Sequence, residues 1–226
     1  MTDKTNLKSL SKKEIFDFIS NLGLPHYRAD QLMQWIYKRY ASEIDEITVF
    51  SKELRHTLNE HAFISNLKLV KSVKSSDGTK KFLFSLEDGQ TIESVLIPDK
   101  DRLTLCISSQ VGCALGCSFC RTGKLGLIRN LRAYEILDQI IAVNRILSHH
   151  KIPPHPPLLK GGRGDFTFPK ITNIVLMGMG EPLANFNEMI EALWRIVLFI
   201  GISKRKITLS TAGLMPKIAL LAEKAP

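Results

Sequence analysis

Cys113, Cys117 and Cys120 occupy one eight-residue window, Cys113-Ala-Leu-Gly-Cys117-Ser-Phe-Cys120, in a chain of 226 residues that has only four cysteines. The thiolate is the form of cysteine that ligates metal. A closed structural zinc site takes four ligands, the fourth Cys or His usually at short spacing. Here the next histidines, His149 and His150, come only after an intervening helix-like stretch. Fe–S cubanes are usually held by four thiolates, one per iron. Three thiolates on one loop would leave an iron open, and an open metal position is where a substrate or cofactor coordinates. The spacing therefore favours an iron–sulfur cluster with one free corner over structural zinc.

Two Gly-containing turns carry the next candidate chemistry. In Gly178-Met-Gly-Glu-Pro182 the glycines let the backbone approach a ligand without a Cβ clash. The carboxylate of Glu181 can accept hydrogen bonds from an ammonium group, and Pro182 starts the next segment with φ fixed. A methionine-type ligand has such an ammonium, together with an amine and a carboxylate able to chelate an open iron. Ser210, in Ser210-Thr-Ala-Gly213, could bond a ribose hydroxyl or a carboxylate; taken alone it reads as an ordinary loop serine. Glu93 lies among apolar residues in Thr91-Ile-Glu-Ser-Val-Leu-Ile-Pro98, where a solvent-facing strand glutamate is the default.

The elements that must position these residues fall into three stretches. Residues 1–65 read as a small helical domain. Ser11-Lys-Lys-Glu14 is a capping box ahead of Ile15, Phe16, Phe18 and Ile19. Arg28–Tyr40 carries apolar residues near helical spacing, and Ser51 caps a third helix through about Ala62. Trp35, Tyr37 and Tyr40 are expected to pack in the core rather than stack on bases. Residues 66–102 switch to short β-type runs, Leu67–Ser75, Lys80–Leu86 and Gln90–Ile97, joined at Asp77-Gly78 and Asp88-Gly89 as hairpins. From Leu103 onward strands at 103–108, 171–177 and 206–210 alternate with helices at 133–148, 186–199 and 214–223. That alternation predicts an α/β architecture with a parallel sheet closing toward a barrel, whose function gathers at the carboxyl ends of its strands. The Cys loop, the Gly178–Pro182 turn and Ser210–Gly213 each follow a strand, so all three are expected at one rim. The Pro- and Gly-rich run at 151–169 reads as a disordered surface insertion.

The formal net charge is +9, unevenly spread: residues 1–100 hold 15 Lys and Arg against 14 Asp and Glu, and residues 101–226 hold 16 against 8. Clustered positive charge attracts phosphate backbones without sequence preference. A solvated basic face is the competing explanation. No apolar run approaches the ~20 residues of a membrane span. The start, Met1-Thr-Asp-Lys-Thr-Asn-Leu-Lys8, has no apolar signal region. Cysteines crowded between 106 and 120 do not make a secreted disulfide framework. A cytoplasmic, reducing setting without membrane attachment is expected.

The aromatic before the last cysteine of Cys-x3-Cys-x2-Cys resembles the radical S-adenosylmethionine superfamily. The wider run Thr104-Leu-Cys-Ile-Ser-Ser-Gln-Val-Gly-Cys-Ala-Leu-Gly-Cys-Ser-Phe-Cys120, with Gly178–Pro182 and Ser203–Gly213, resembles the RlmN-type adenine-C2 methyltransferases of 23S rRNA and tRNA. The likeness covers nearly the whole chain except the Pro/Gly run. It implies a partial radical-SAM (β/α)6-type barrel over 103–226. Cys113, Cys117 and Cys120 would ligate a [4Fe–4S] cluster whose fourth iron is chelated by S-adenosyl-L-methionine. Gly180, Glu181 and Ser210 would contact that cofactor, Glu93 would be the acid/base residue, and Cys106 would resolve a protein–RNA thioether by forming a disulfide. An electron donor for the cluster is implied, and a monomer if the chain is complete. The helical domain would help hold RNA. In this family the methyl-carrying cysteine lies far toward the carboxyl end, whereas this sequence has three barrel strands and no cysteine after Cys120. The chain is therefore expected to be an amino-terminal portion, inactive in methylation alone, with an unpaired parallel strand at its edge. An adenine-C8 methyltransferase relative and a non-catalytic, metal-stabilised RNA-binding module are the alternatives.

Overall fold

Ser11 caps the first helix, α1 (Lys12–Asn21), in a complete capping box: its hydroxyl accepts from the Glu14 amide while the Glu14 carboxylate accepts from the Ser11 amide. Helix α2 (Tyr27–Tyr37) follows, and Ser51 caps α3 (Lys52–His61) through the Leu54 amide. The computed structural model describes residues 4–149 and 170–226. The Pro/Gly run expected as a disordered insertion therefore lies outside the described residues, as does His150. Two short strands, β1 (Thr5–Asn6) and β2 (Ala62–Phe63), pair in parallel and close the helical stretch on itself. Tyr37 is buried, while Trp35 and Tyr40 are partly buried against the core, so packing accounts for all three.

The β-runs form one sheet in the order β10-β9-β6-β5-β4-β3. Strands β3 (Lys68–Lys74), β4 (Lys80–Ser85), β5 (Thr91–Asp99) and β6 (Arg102–Cys106) are antiparallel neighbours. The two Asp-Gly hairpins turn where expected, with Gly78 and Gly89 at positive φ. A second, two-stranded sheet joins β7 (Gln110–Gly112) to β8 (Leu127–Asn130). Helix α4 (Ala133–His149) then leads to β9 (Asn173–Leu176), which pairs in parallel with β6. Helix α5 (Phe186–Arg195) precedes β10 (Ile207–Leu209), parallel to β9, and α6 (Met215–Lys224) follows. The fold is α/β, with the parallel strands β6, β9 and β10 continuing the antiparallel run of β3 to β6. The helix expected over 186–199 ends as an α-helix at Arg195 and continues as one π-helical turn, Ile196–Ile200, stopped by Gly201 in the left-handed region.

Alternation along β5 decides what the sheet buries. Ile92, Ser94 and Leu96 are buried beneath the helices, and Gln139 of α4 accepts from the Ser94 hydroxyl at 2.8 Å. Glu93 and Val95 project from the other face, where burial is incomplete. The helical stretch docks on α4 and α5 through polar anchors set in apolar packing. Lys8, fully buried, is ion-paired to Asp138, and Arg195 donates to the Lys8 carbonyl at 2.7 Å. Arg145 reaches the Tyr40 carbonyl at 3.0 Å and Asn66 at 2.7 Å. Tyr37 packs on Phe199 with ring centroids 4.8 Å apart. One continuous hydrophobic cluster runs from Leu7 to Ile202.

Candidate active site at the strand ends

The Cys loop hangs between β7 and β8. Gly112 has φ +78, and a Cβ there would lie 1.8 Å from the Gly126 carbonyl oxygen, so only glycine lets the two strands close at the loop's neck. The Cys113 amide donates to that same Gly126 carbonyl at 2.9 Å. Within the loop, the Cys120 amide donates to the Cys117 carbonyl at 3.0 Å, and Gly123 packs so tightly on Cys117 that a Cβ would come within 2.8 Å of its nitrogen. Cys113 is buried, Cys117 and Cys120 are half-buried, and Phe119 between them is 91 % exposed.

Thiol chemistry and loop length suit a cluster in kind. The Gly123 backbone N–H, helped by Thr122, holds the Cys120 thiol below its usual range and so favours the thiolate that metal binding requires. Among the described residues no three His, Cys, Asp or Glu side chains are grouped around the place of a single metal ion, whereas a cubane takes its thiolates one per iron. Three thiols on one loop pinned at Gly112 and Gly123 are donors that fit the cluster chemically.

The Gly178–Pro182 turn is joined to the segment leading into this loop. The Ser109 and Gln110 amides both donate to the Met179 carbonyl, at 2.8 and 3.1 Å. The Gln110 side chain accepts from the Glu181 amide at 2.9 Å and donates to Asn130 at 2.7 Å. Gly180, at φ +98, lies against Gln110 so closely that a Cβ would fall 2.5 Å from the Gln110 Cβ. Glu181 is only 4 % exposed, and its carboxylate is occupied from within: it accepts from the Leu183 amide at 3.0 Å, the Thr211 hydroxyl and the Ala212 amide at 2.8 Å. Glu181 thus latches the turn after β9 to the turn after β10. Ser210 is exposed beside this latch, its amide on the Leu176 carbonyl at 3.4 Å.

Glu93 and Cys106 share the sheet face that the helices leave uncovered. Cys106 pairs with Val95, two residues from Glu93, which sets the two positions diagonally at roughly 7–8 Å. Lys81 ion-pairs with Glu93 at 3.0 Å. Burial pushes the Cys106 thiol above its usual range, the Met177 backbone opposing it in part. The structure therefore brings the Cys loop, Gly180, Glu181 and Ser210 to one rim, with Cys106 at the end of β6 and Glu93 one strand further out. Sequence reasoning missed the connectors Gln110, Thr211 and Gln139. Gln110 and Gln139 are fully buried polar residues; the apolar flanks of Gln139 in Ile136-Leu-Asp-Gln-Ile140 were the available signal.

Residues 5–64 match the family model described as the ribosomal RNA large subunit methyltransferase N-terminal domain. The chain is 43 % identical over 228 aligned residues to the dual-specificity RNA methyltransferase RlmN of Pelobacter propionicus, covering all of this chain and 59 % of that protein. The enzyme of the same description from Francisella tularensis subsp. novicida is 44 % identical over 225 residues, covering 99 % of this chain and 57 % of the relative. Among solved structures, a radical SAM methyltransferase from Sphaerobacter thermophilus superposes with a TM-score of 0.82 at 39 % identity, over 96 % of this chain and 60 % of that one. The chain thus spans about three-fifths of the length of the relatives it matches.

Proposed function

We propose that the chain belongs to the RlmN-type radical SAM methyltransferases, to which it is similar over the span it shares with them, and that it serves radical methylation of adenine C2 in 23S rRNA and tRNA. We divide it into a helical RNA-binding domain at 1–65, a hairpin segment at 66–102 and the barrel portion at 103–226. The observation that carries the proposal is the bonding of three strand-end turns into one rim by Gln110 and Glu181. In this reading Cys113, Cys117 and Cys120 hold a [4Fe–4S] cluster. Gly180, Glu181 and Ser210 form the place for S-adenosyl-L-methionine, Gly180 and Glu181 by fixing the turns after β9 and β10 and Ser210 by its exposed hydroxyl.

When bound, the cluster and cofactor supply the radical that an electron-poor carbon such as adenine C2 requires before it can be methylated. The chain's own residues orient and move protons. Glu93, held by Lys81 on the open face, is positioned to exchange a proton with the RNA base. Cys106, on the same face, is the resolving cysteine, and burial holds it as a thiol. Once a base takes its proton, the thiolate would form an S–S bond with the methyl-carrying cysteine as that sulfur's bond to the RNA breaks and the electron pair stays on the RNA. With three cysteines on the cluster and Cys106 resolving, none of the four is left to carry the methyl group. These 226 residues by themselves are therefore expected to load a cluster without turnover.

The test is anaerobic reconstitution with iron and sulfide, followed by iron counting. Replacing Cys113, Cys117 or Cys120 by alanine should each reduce iron to background, while Cys106→Ala should retain it. A colourless, zinc-loaded protein would overturn the assignment, and C2-methyladenosine formed by these residues alone would overturn the division of roles.

A further inference from the structure

The sheet ends at β3, which is exposed along all seven residues, Lys-Leu-Val-Lys-Ser-Val-Lys. With β4 this outer hairpin, residues 67–86, holds five lysines against one carboxylate, Asp77. Asp77 is engaged by the Thr79 amide and hydroxyl, both at 3.0 Å, and Lys81 by Glu93. Among the described residues Lys68, Lys71, Lys74 and Lys80 have no carboxylate within ion-pair distance. Lys74 stands directly opposite Lys80, a like-charge pairing that costs stability.

A bulge decides where these charges point. On a regular strand Lys68 and Lys71, three residues apart, would project from opposite faces. The register shifts between Leu69 and Lys71, so Lys68 pairs with Ser85 and Lys71 with Leu83. Ser85, Leu83 and Lys81 are alternate residues of β4 and share one face, and Leu83 pairs on its other side with Glu93. Lys68, Lys71 and Lys81 therefore border the face that carries Glu93 and Cys106. Strand spacing sets the Lys71 position about 10 Å from that of Glu93. Lysines on an outer strand also discourage edge-to-edge pairing. That role needs charge on the strand, without regard to face, whereas the bulge at Val70 selects the face.

We propose that Lys68 and Lys71, on the bulged outer strand, form a phosphate track that guides the RNA backbone onto the open face beside Glu93. This rests on the RNA-methyltransferase reading above and adds to it a second RNA contact outside the helical domain. Lysine contacts to phosphate position a strand without reading its bases.

The test needs no cluster. Binding of the 226-residue chain to two labelled single-stranded RNA oligonucleotides of unrelated sequence is followed by fluorescence anisotropy across a salt series. The double variant Lys68→Gln/Lys71→Gln should weaken both RNAs alike, about fivefold or more at low salt, and flatten the slope of log affinity against log salt by about 1.4. The control pair Lys170→Gln/Lys224→Gln, exposed and outside both the helical domain and the strand-end rim, should move neither. The proposal is overturned if the two double variants behave alike while the unaltered chain binds. It is also overturned if Lys68→Gln/Lys71→Gln oligomerises with RNA affinity unchanged, which would mark the lysines as edge guards. Absence of any salt-dependent binding by the unaltered chain would bring down the RNA reading itself, a failure that the iron count leaves untouched.

Discussion

Individual residues at the rim are set by close approach more than by charge. Gly112 is the sharpest case, since any side chain must enter the Gly126 carbonyl while the backbone sits at positive φ. Gly112→Ala should cost roughly 2 kcal/mol or more, through left-handed strain plus the shift of a backbone neighbour. The loss is measured by urea unfolding, with a matching fall in iron uptake; unchanged values in both would show that the neck of the Cys loop tolerates opening. The glycine at 180 was legible in the sequence as a close-approach position, whereas the neighbour it approaches, Gln110, was not. Glu181 shows the same limit. Its carboxylate was visible as a candidate acceptor, but its partners Thr211 and Ala212 lie in the turn after β10, brought alongside only by the fold.

At the scale of elements, Gln139 is what fastens α4 to the sheet. Its side-chain oxygen accepts from the Ser94 hydroxyl and the Ser108 amide, both at 2.8 Å, and its amide group donates to the Ser108 carbonyl at 2.9 Å. Gln139→Leu would strand a buried backbone N–H and a hydroxyl, at a cost of about 2–4 kcal/mol. Thermal unfolding should register this as a clear drop; a Tm within error of the unaltered chain would refute it. Elements with strong local chemistry were readable in advance: the Ser11 and Ser51 caps, the two Asp-Gly hairpins and the strand–helix alternation after Leu103. Short elements held only by tertiary pairing were not. Strands β7 and β8 have three and four residues and carry no alternation to detect, yet they are the pillars of the Cys loop. The π-helical turn at 196–200 was read as a continuation of the helix because its apolar residues keep a near-helical spacing. Counting charge by halves hid the lysine strip of β3 and β4, since acidic residues elsewhere in residues 1–100 cancel it.

Across the whole molecule, the helical domain and the barrel portion are held by a buried charge pair. Lys8 lies in the chain that precedes α1, and Asp138 in α4. Desolvation pushes the Lys8 ammonium below its usual range, Asp138 opposing that shift. Removing one partner leaves the other charge buried alone, so Asp138→Asn should destabilise the protein by about 3–5 kcal/mol. The paired replacement Lys8→Met/Asp138→Leu should recover most of that loss, because apolar groups of similar size need no compensation. Denaturant titration of the single and double variants decides between these outcomes, and a double variant as unstable as the single would show that the contact depends on charge. No helix among the described residues is long and apolar enough to cross a membrane. The shared bonding of Gln110, reaching Glu181 on one side and Asn130 beyond the Cys loop on the other, has a thermodynamic corollary. Under the proposed function, whatever stiffens the thiol side pre-orders the side assigned to the cofactor, and reciprocity makes the gain mutual. Iron loading and sulfonium binding should each tighten the other without any moving domain.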